Sequence, residues 1–285
     1  MKFVRMVFLT AALLLPVMSE ARAPETITMD KFLERGLLIH AVIGGHEGTF
    51  TFDSGEGVSA ITPEFASKIG CNVWGQISGF QMSGQRLDMQ RCDHVDVKIG
   101  DFHARLNTLG VFDLNKFSPP GTKIDGTLGL DVFDGQVITF SYSKRTITVW
   151  NRAATRQIPK DEKPFPVHVI RDVGGMAVDV ALPVKTPQGT AWFLMDSGNT
   201  SPFILVGKHL ATPLGLKTDS KAVQNFAATV GDGSLTNGEA RVLDLIVDGN
   251  LGMTFLAHYD VSIDLANGTG WLSAVEQPKT VDQTP

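Results

Sequence analysis

Two short triplets carry the residues that could do chemistry: Asp53-Ser54-Gly55 and Asp196-Ser197-Gly198, 143 positions apart. Each is an acid, a hydroxyl and a glycine. Singly, such a triplet is ordinary turn material, because all three residue types favour tight turns. In duplicate, it suggests paired acid–base chemistry. Two carboxylates brought to about 3 Å cannot both ionise, so they share one proton. One can then accept a proton from water while the other donates to a carbonyl oxygen. A glycine beside each acid allows close backbone approach and an N–H directed at the carboxylate. Ser54 and Ser197 can donate across to the opposite half and hold the two acids coplanar.

The elements around both triplets are strands. Thr49 to Phe52 alternates into Asp53, and Val58 to Ile61 follows; Trp192 to Met195 leads into Asp196, and Phe203 to Val206 follows. Such alternation reads as half-buried strand broken by a turn. The duplication continues downstream, where Asp125-Gly126-Thr127-Leu128-Gly129-Leu130 corresponds to Asp248-Gly249-Asn250-Leu251-Gly252-Met253 at an offset of 123. That offset also maps the closing hairpin from Thr146 onto Thr269. A repeat this long is a duplicated domain, and two like halves pack most simply about a pseudo-two-fold axis that brings Asp53 to Asp196. A mostly β protein follows, with short helices expected at Pro63 to Ile69, capped by Thr62, and at Gly207 to Leu214. Thr26 to Arg35 is ambiguous, with a short helix one reading.

The boundaries read as follows: residues 1–23, export leader; 24–150, first lobe; 151–164, polar linker; 165–275, second lobe; 276–285, polar tail. Lys2, Arg5 and the apolar run from Met6 to Met18 make the leader, with cleavage after Ala21 preferred over Ala23 because of Pro24. Periplasmic or secreted location is therefore expected, with no membrane association after cleavage. A net charge of −5 and pI near 5.8 give no reason to expect nucleic-acid binding. Cys71 and Cys92, the two cysteines, are either disulfide-bonded or free buried thiols. The seven histidines show no metal-binding spacing, and no cofactor or metal is expected.

The order strand, Asp-Ser-Gly, strand, glycine-rich hairpin, apolar-Gly motif and closing hairpin resembles the pepsin/retropepsin aspartic peptidase lobe. Over roughly Leu37 to Leu272 the chain is similar to bacterial members that carry two retropepsin-like lobes in one exported polypeptide. The resemblance implies two β-barrel lobes and an endopeptidase acting on peptide or unfolded protein. Asp53 and Asp196 would be its dyad, supported by Ser54, Gly55, Ser197 and Gly198. With both acids in one chain, a monomer suffices. The sequence departs from the family pattern in two places. Glu56 stands where the family has a small residue; pointing inward it would set a third carboxylate beside the dyad and raise its pKa, and facing solvent, the plainer expectation, it would do nothing. The flap, around Ile77 to Leu87, lacks the pepsin-type Tyr, so Phe80 or Trp74 would cover the cleft.

Three rival readings fit the residues less well. Gly55-Glu56-Gly57-Val58-Ser59-Ala60 matches a dinucleotide fingerprint, but strand rather than helix follows the glycines. A serine hydrolase lacks its Gly-x-Ser-x-Gly elbow. The third is a catalytically silent, partner-binding protein of the cell envelope that keeps this fold; retention of both triplets argues against it.

Overall fold

The computed structural model describes residues 23–117, 121–151, 158 and 163–276. The leader, most of the linker and the tail beyond residue 276 lie outside them. Within the described residues the chain forms two closed six-stranded β-barrels and a third sheet shared between them.

The first barrel runs in the order Gly36–Ile43, His46–Phe52, Gly126–Leu128, Ala60–Ile61, Phe102–Val111 and Arg86–Ile99. It closes where Val42 and Ile43 pair with Lys98 and Val97. The second follows the same order: Asp179–Thr186, Gly189–Met195, Gly249–Leu251, Ile204–Gly207, Ser234–Leu243 and Gln224–Val230, closing at Val184 with Val230. Alternation decides which side chains fill each barrel. In Gly36–Ile43, residues Leu37, Ile39, Ala41 and Ile43 point inward and are buried, as a strand's two-residue period requires. Phe50 and Phe52 do the same on the next strand.

The third sheet joins the lobes in the order Glu25–Thr28, Thr146–Trp150, Val137–Ser141, Tyr259–Asp264, Thr269–Ala274 and Phe165–Pro166. Its two central strands are repeat equivalents and pair antiparallel. Thr139 stands opposite Ser262, its own counterpart at the offset of 123, and their hydroxyls are 2.7 Å apart. The pseudo-two-fold axis passes between these two residues.

Two local expectations change. Thr26 to Arg35 holds strands, Glu25–Thr28 and Asp30–Phe32, and no helix. Alternation buries Ile27 and Met29, and an edge position beside Thr146–Trp150 supplies the ladder. Gly207 to Leu214 forms two 3₁₀ turns, Lys208–Leu210 and Thr212–Leu214, rather than a helix. Pro213 removes a backbone donor there, and Gly215 turns the chain at φ +74°. The helix Pro63–Lys68 is present, and Thr62 Oγ1 accepts from the Phe65 N–H at 3.2 Å.

Candidate active site

Each triplet sits where its strand leaves the barrel. Phe52 pairs parallel with Leu128, and Met195 with Leu251. The Asp53 N–H therefore donates to Leu128 O at 3.0 Å, and the Asp196 N–H to Leu251 O at 3.1 Å. The duplicated apolar-Gly motif thus seats each acid from behind. The symmetry of the lobes brings the two carboxyl groups to one amide: the Gly198 N–H lies 3.1 Å from Asp53 Oδ1 and 2.8 Å from Asp196 Oδ1.

The two serines lock this meeting. Ser54 Oγ donates to Met195 O at 2.9 Å and accepts from the Ser197 N–H at 2.9 Å. In return, Ser197 Oγ donates to Phe52 O at 3.2 Å and accepts from the Ser54 N–H at 2.9 Å. Both hydroxyls are fully buried, so four polar groups depend on the partner lobe for satisfaction. The glycines allow the approach: a Cβ on Gly55 would stand 2.8 Å from Asp196 Cγ, and one on Gly198 would overlap the Asp53 carboxyl. Their amides bind the acids. Asp53 Oδ1 accepts from Gly55 N at 2.9 Å and Gly198 N at 3.1 Å. Asp196 Oδ1 accepts from Gly198 N at 2.8 Å and Asn199 N at 2.9 Å.

Burial, then the Asp196 charge, then Glu56, raise the Asp53 carboxyl well above the ordinary aspartate range. Glu56 does not face solvent as expected. It is part-buried, and desolvation with the charges of Asp131, Asp179 and Asp196 pushes it up to about 8. Its solvation is lost because the loop after Asp53 is pressed between the lobes: Val178 N donates to Gly57 O at 2.8 Å. Asp131 is buried and raised to about 6, although Ser59 donates to it through Oγ at 2.5 Å and N at 2.8 Å. Asp179, raised by burial and by Asp196 to about 7, abuts Gly57. Five acids therefore share this junction, three more than the two triplets supply.

The flap is the hairpin Trp74–Phe80 and Arg86–Ile99. Neither expected aromatic covers the dyad. Trp74 lies at the foot of the hairpin, donating from its indole to Asp93 at 3.0 Å beneath the Arg91 guanidinium. Phe80 is 66% exposed. Met82 at the tip instead meets the second lobe. Ile246 N donates to Met82 O at 2.9 Å, and the Met82 sulfur lies 2.8 Å from Asn250 Nδ2. Lower down, Ile77 packs with Val58 and Ala177. Cys71 and Cys92 are joined by a disulfide at the base of this hairpin, Cα atoms 6.1 Å apart.

A cavity of about 430 Å³ opens beside Asp53, between Phe32–Leu37 of the first lobe and Ser197, Gly198 and Thr200 of the second. Phe32, Leu33, Leu37 and Phe52 give it apolar walls, and Arg35 reaches Thr200 O at 3.4 Å across its mouth. Asp131, Asp179, Asn250, Ser59 and Met82 were not found by sequence reasoning. One signal was available for Asn250: it replaces Thr127 in a motif whose acid, glycines and apolar positions otherwise recur.

Two barrels sharing a sheet, each offering an aspartate to one junction, fit a two-lobe, retropepsin-like fold. Residues 39–132 match the aspartyl protease family, a match confined to the first lobe. No curated protein matches the chain.

Proposed function

We propose that the chain is an aspartic endopeptidase that hydrolyses peptide bonds in extended or unfolded substrates. The observation that carries this reading is the meeting of Asp53 and Asp196 from separate lobes, cross-held by Ser54 and Ser197. A shared proton would let two such acids stand together without a compensating cation. One carboxylate takes a proton from water as its oxygen attacks the scissile carbonyl carbon, and the other carboxyl protonates the carbonyl oxygen. Collapse of the resulting gem-diol reverses the transfers: the leaving nitrogen gains the first proton, the C–N bond breaks, and a diol proton returns to the second acid. Burial and the Asp196 charge raise the Asp53 carboxyl well above the ordinary aspartate range, which favours Asp53 as the holder of the shared proton. Apolar walls beside Asp53 suit an apolar substrate side chain.

The basic-then-apolar start of the chain supports export, so the substrates would be proteins met outside the cytoplasm. Both acids come from one polypeptide, which supports action as a monomer.

The test is cleavage of a denatured protein across the pH range by wild type, Asp53→Asn and Asp196→Asn. Each variant is expected to lose about 10²–10⁴-fold in kcat/KM while remaining folded. Variants indistinguishable from wild type would instead favour a binding protein that retains the fold.

A further inference from the structure

We infer that Asn250 is a positioning residue that makes the dyad electrically unequal, fixing Asp196 as the carboxylate and Asp53 as the proton carrier. The inference rests on the peptidase reading for its catalytic meaning, and on geometry alone for its structural content.

Asn250 lies on the short strand Gly249–Leu251, whose partners are Leu194 in the strand leading to Asp196 and Leu205 on its other side. It is fully buried. Its Nδ2 donates to Asp196 Oδ2 at 2.5 Å, the oxygen that the Gly198 and Asn199 amides leave free. The amide cannot be turned over without breaking a relay. The Ser201 N–H and hydroxyl both donate to Asn199 Oδ1, at 3.1 and 2.6 Å. That leaves Asn199 Nδ2 to donate to Asn250 Oδ1 at 2.7 Å, and so points Asn250 Nδ2 at Asp196. The flap residue Met82 rests on the same nitrogen.

The first lobe has no counterpart. Thr127 occupies the equivalent place, and its buried hydroxyl has no hydrogen-bond partner among the described residues. Both hydrogen bonds to Asp53 described above fall on Oδ1. The charged and titratable groups facing Asp196 from the packed elements are Asp53 and Glu56 on the first-lobe loop and Asp179 on its own lobe, all acids. The cation of the adjoining pocket, Arg35, donates to Thr200 O at 3.4 Å. Among these groups, the third N–H donor from Asn250 distinguishes the two carboxylates, and hydrogen bonds to a charged oxygen favour the charged form.

In the reaction, Asp196 then receives the water proton on Oδ2, which keeps a lone pair beside the Asn250 bond. Asp53 delivers its proton to the carbonyl oxygen. Both return to their starting states when the C–N bond breaks.

The test separates this from the peptidase reading. An Asp53→Asn background removes the facing carboxyl, and the Asp196 carboxyl ¹³C resonance can be followed there with and without Asn250→Leu. Losing one hydrogen bond to a charged acceptor is expected to raise the Asp196 titration by about one to two pH units. Asn199→Ala, which frees the relay and leaves the amide in place, should move it in the same direction by less. With Asp53 intact, Asn250→Leu should shift the acid limb of kcat/KM upward by a similar amount. Restoring a donor with Asn250→Ser should recover part of the shift. A titration unmoved in Asn250→Leu overturns the inference, as does one unmoved in Asn199→Ala if the leucine variant does not fold. Absence of proteolysis in wild type would sink the peptidase reading and leave the titration free to decide this one.

Discussion

Replacing Glu56 with Gln should make the protein more stable at neutral pH and leave it unchanged in acid. Glu56 rises from the ordinary 4.5 to about 8 on folding. The folded state therefore binds its proton more tightly than the unfolded chain does. Stability from this group is fully present below the unfolded value and is lost as pH rises through the interval up to the folded one. At about pH 7.5 the two values correspond to a loss of about 4 kcal/mol, at 1.36 kcal/mol per unit. Part-exposure and coupling to Asp131, Asp179 and Asp196 reduce this to about 2 kcal/mol. Gln keeps the shape of the protonated acid and cannot ionise, so it removes the loss. Urea unfolding at about pH 4.5 and 7.5 is the assay, read as the difference between variant and wild type at each pH. Near-equality in acid and a gain of about 2 kcal/mol at neutral pH are expected for the variant. A gap that does not change with pH, or a variant less stable at both, would refute the reasoning.

Ser54→Ala should cost about 2–4 kcal/mol, since it leaves Met195 O and the Ser197 N–H buried without their partner. Ser197→Ala should behave alike, and the double variant should fall short of the sum by more than about 0.5 kcal/mol, because the two serines form one network; additive values in urea unfolding would contradict the cross-lobe lock. Gly198→Ala should fold yet lose about 10²-fold or more in kcat/KM, because its Cβ displaces the Asp53 carboxyl; full activity would mean the carboxyl position is not critical.

Repetition made the architecture legible. Strand, triplet and apolar-Gly motif recur in the same order, the triplets 143 residues apart and the later motifs 123, and period-two alternation says which face is inward. Duplication then implies an axis and a meeting of equivalents, which the structure places at Thr139–Ser262 and at the two triplets. What escaped was whatever depends on the packing of one lobe against the other. Glu56 reads as a turn residue until the Val173–Asp179 region of the second lobe covers it. Asp131 and Asp179 carry no local mark of proximity, being far apart in the chain. The flap residue was sought among aromatics, whereas contact with the second lobe depends on where the turn projects, and the turn carries Met82. Segment 26–35 favoured neither structure by itself, and the neighbouring strand Thr146–Trp150 decided it.

The crossing of Thr139 with Ser262 bears on how such a centre could evolve. A homodimer of either half would repeat one side chain on both sides of the axis, so any donor offered to one aspartate would be offered to its twin. Fusion into a single polypeptide lifts that constraint. Threonine can stand at position 127 while asparagine stands at 250, and two acids of common descent are left free to take separate tasks.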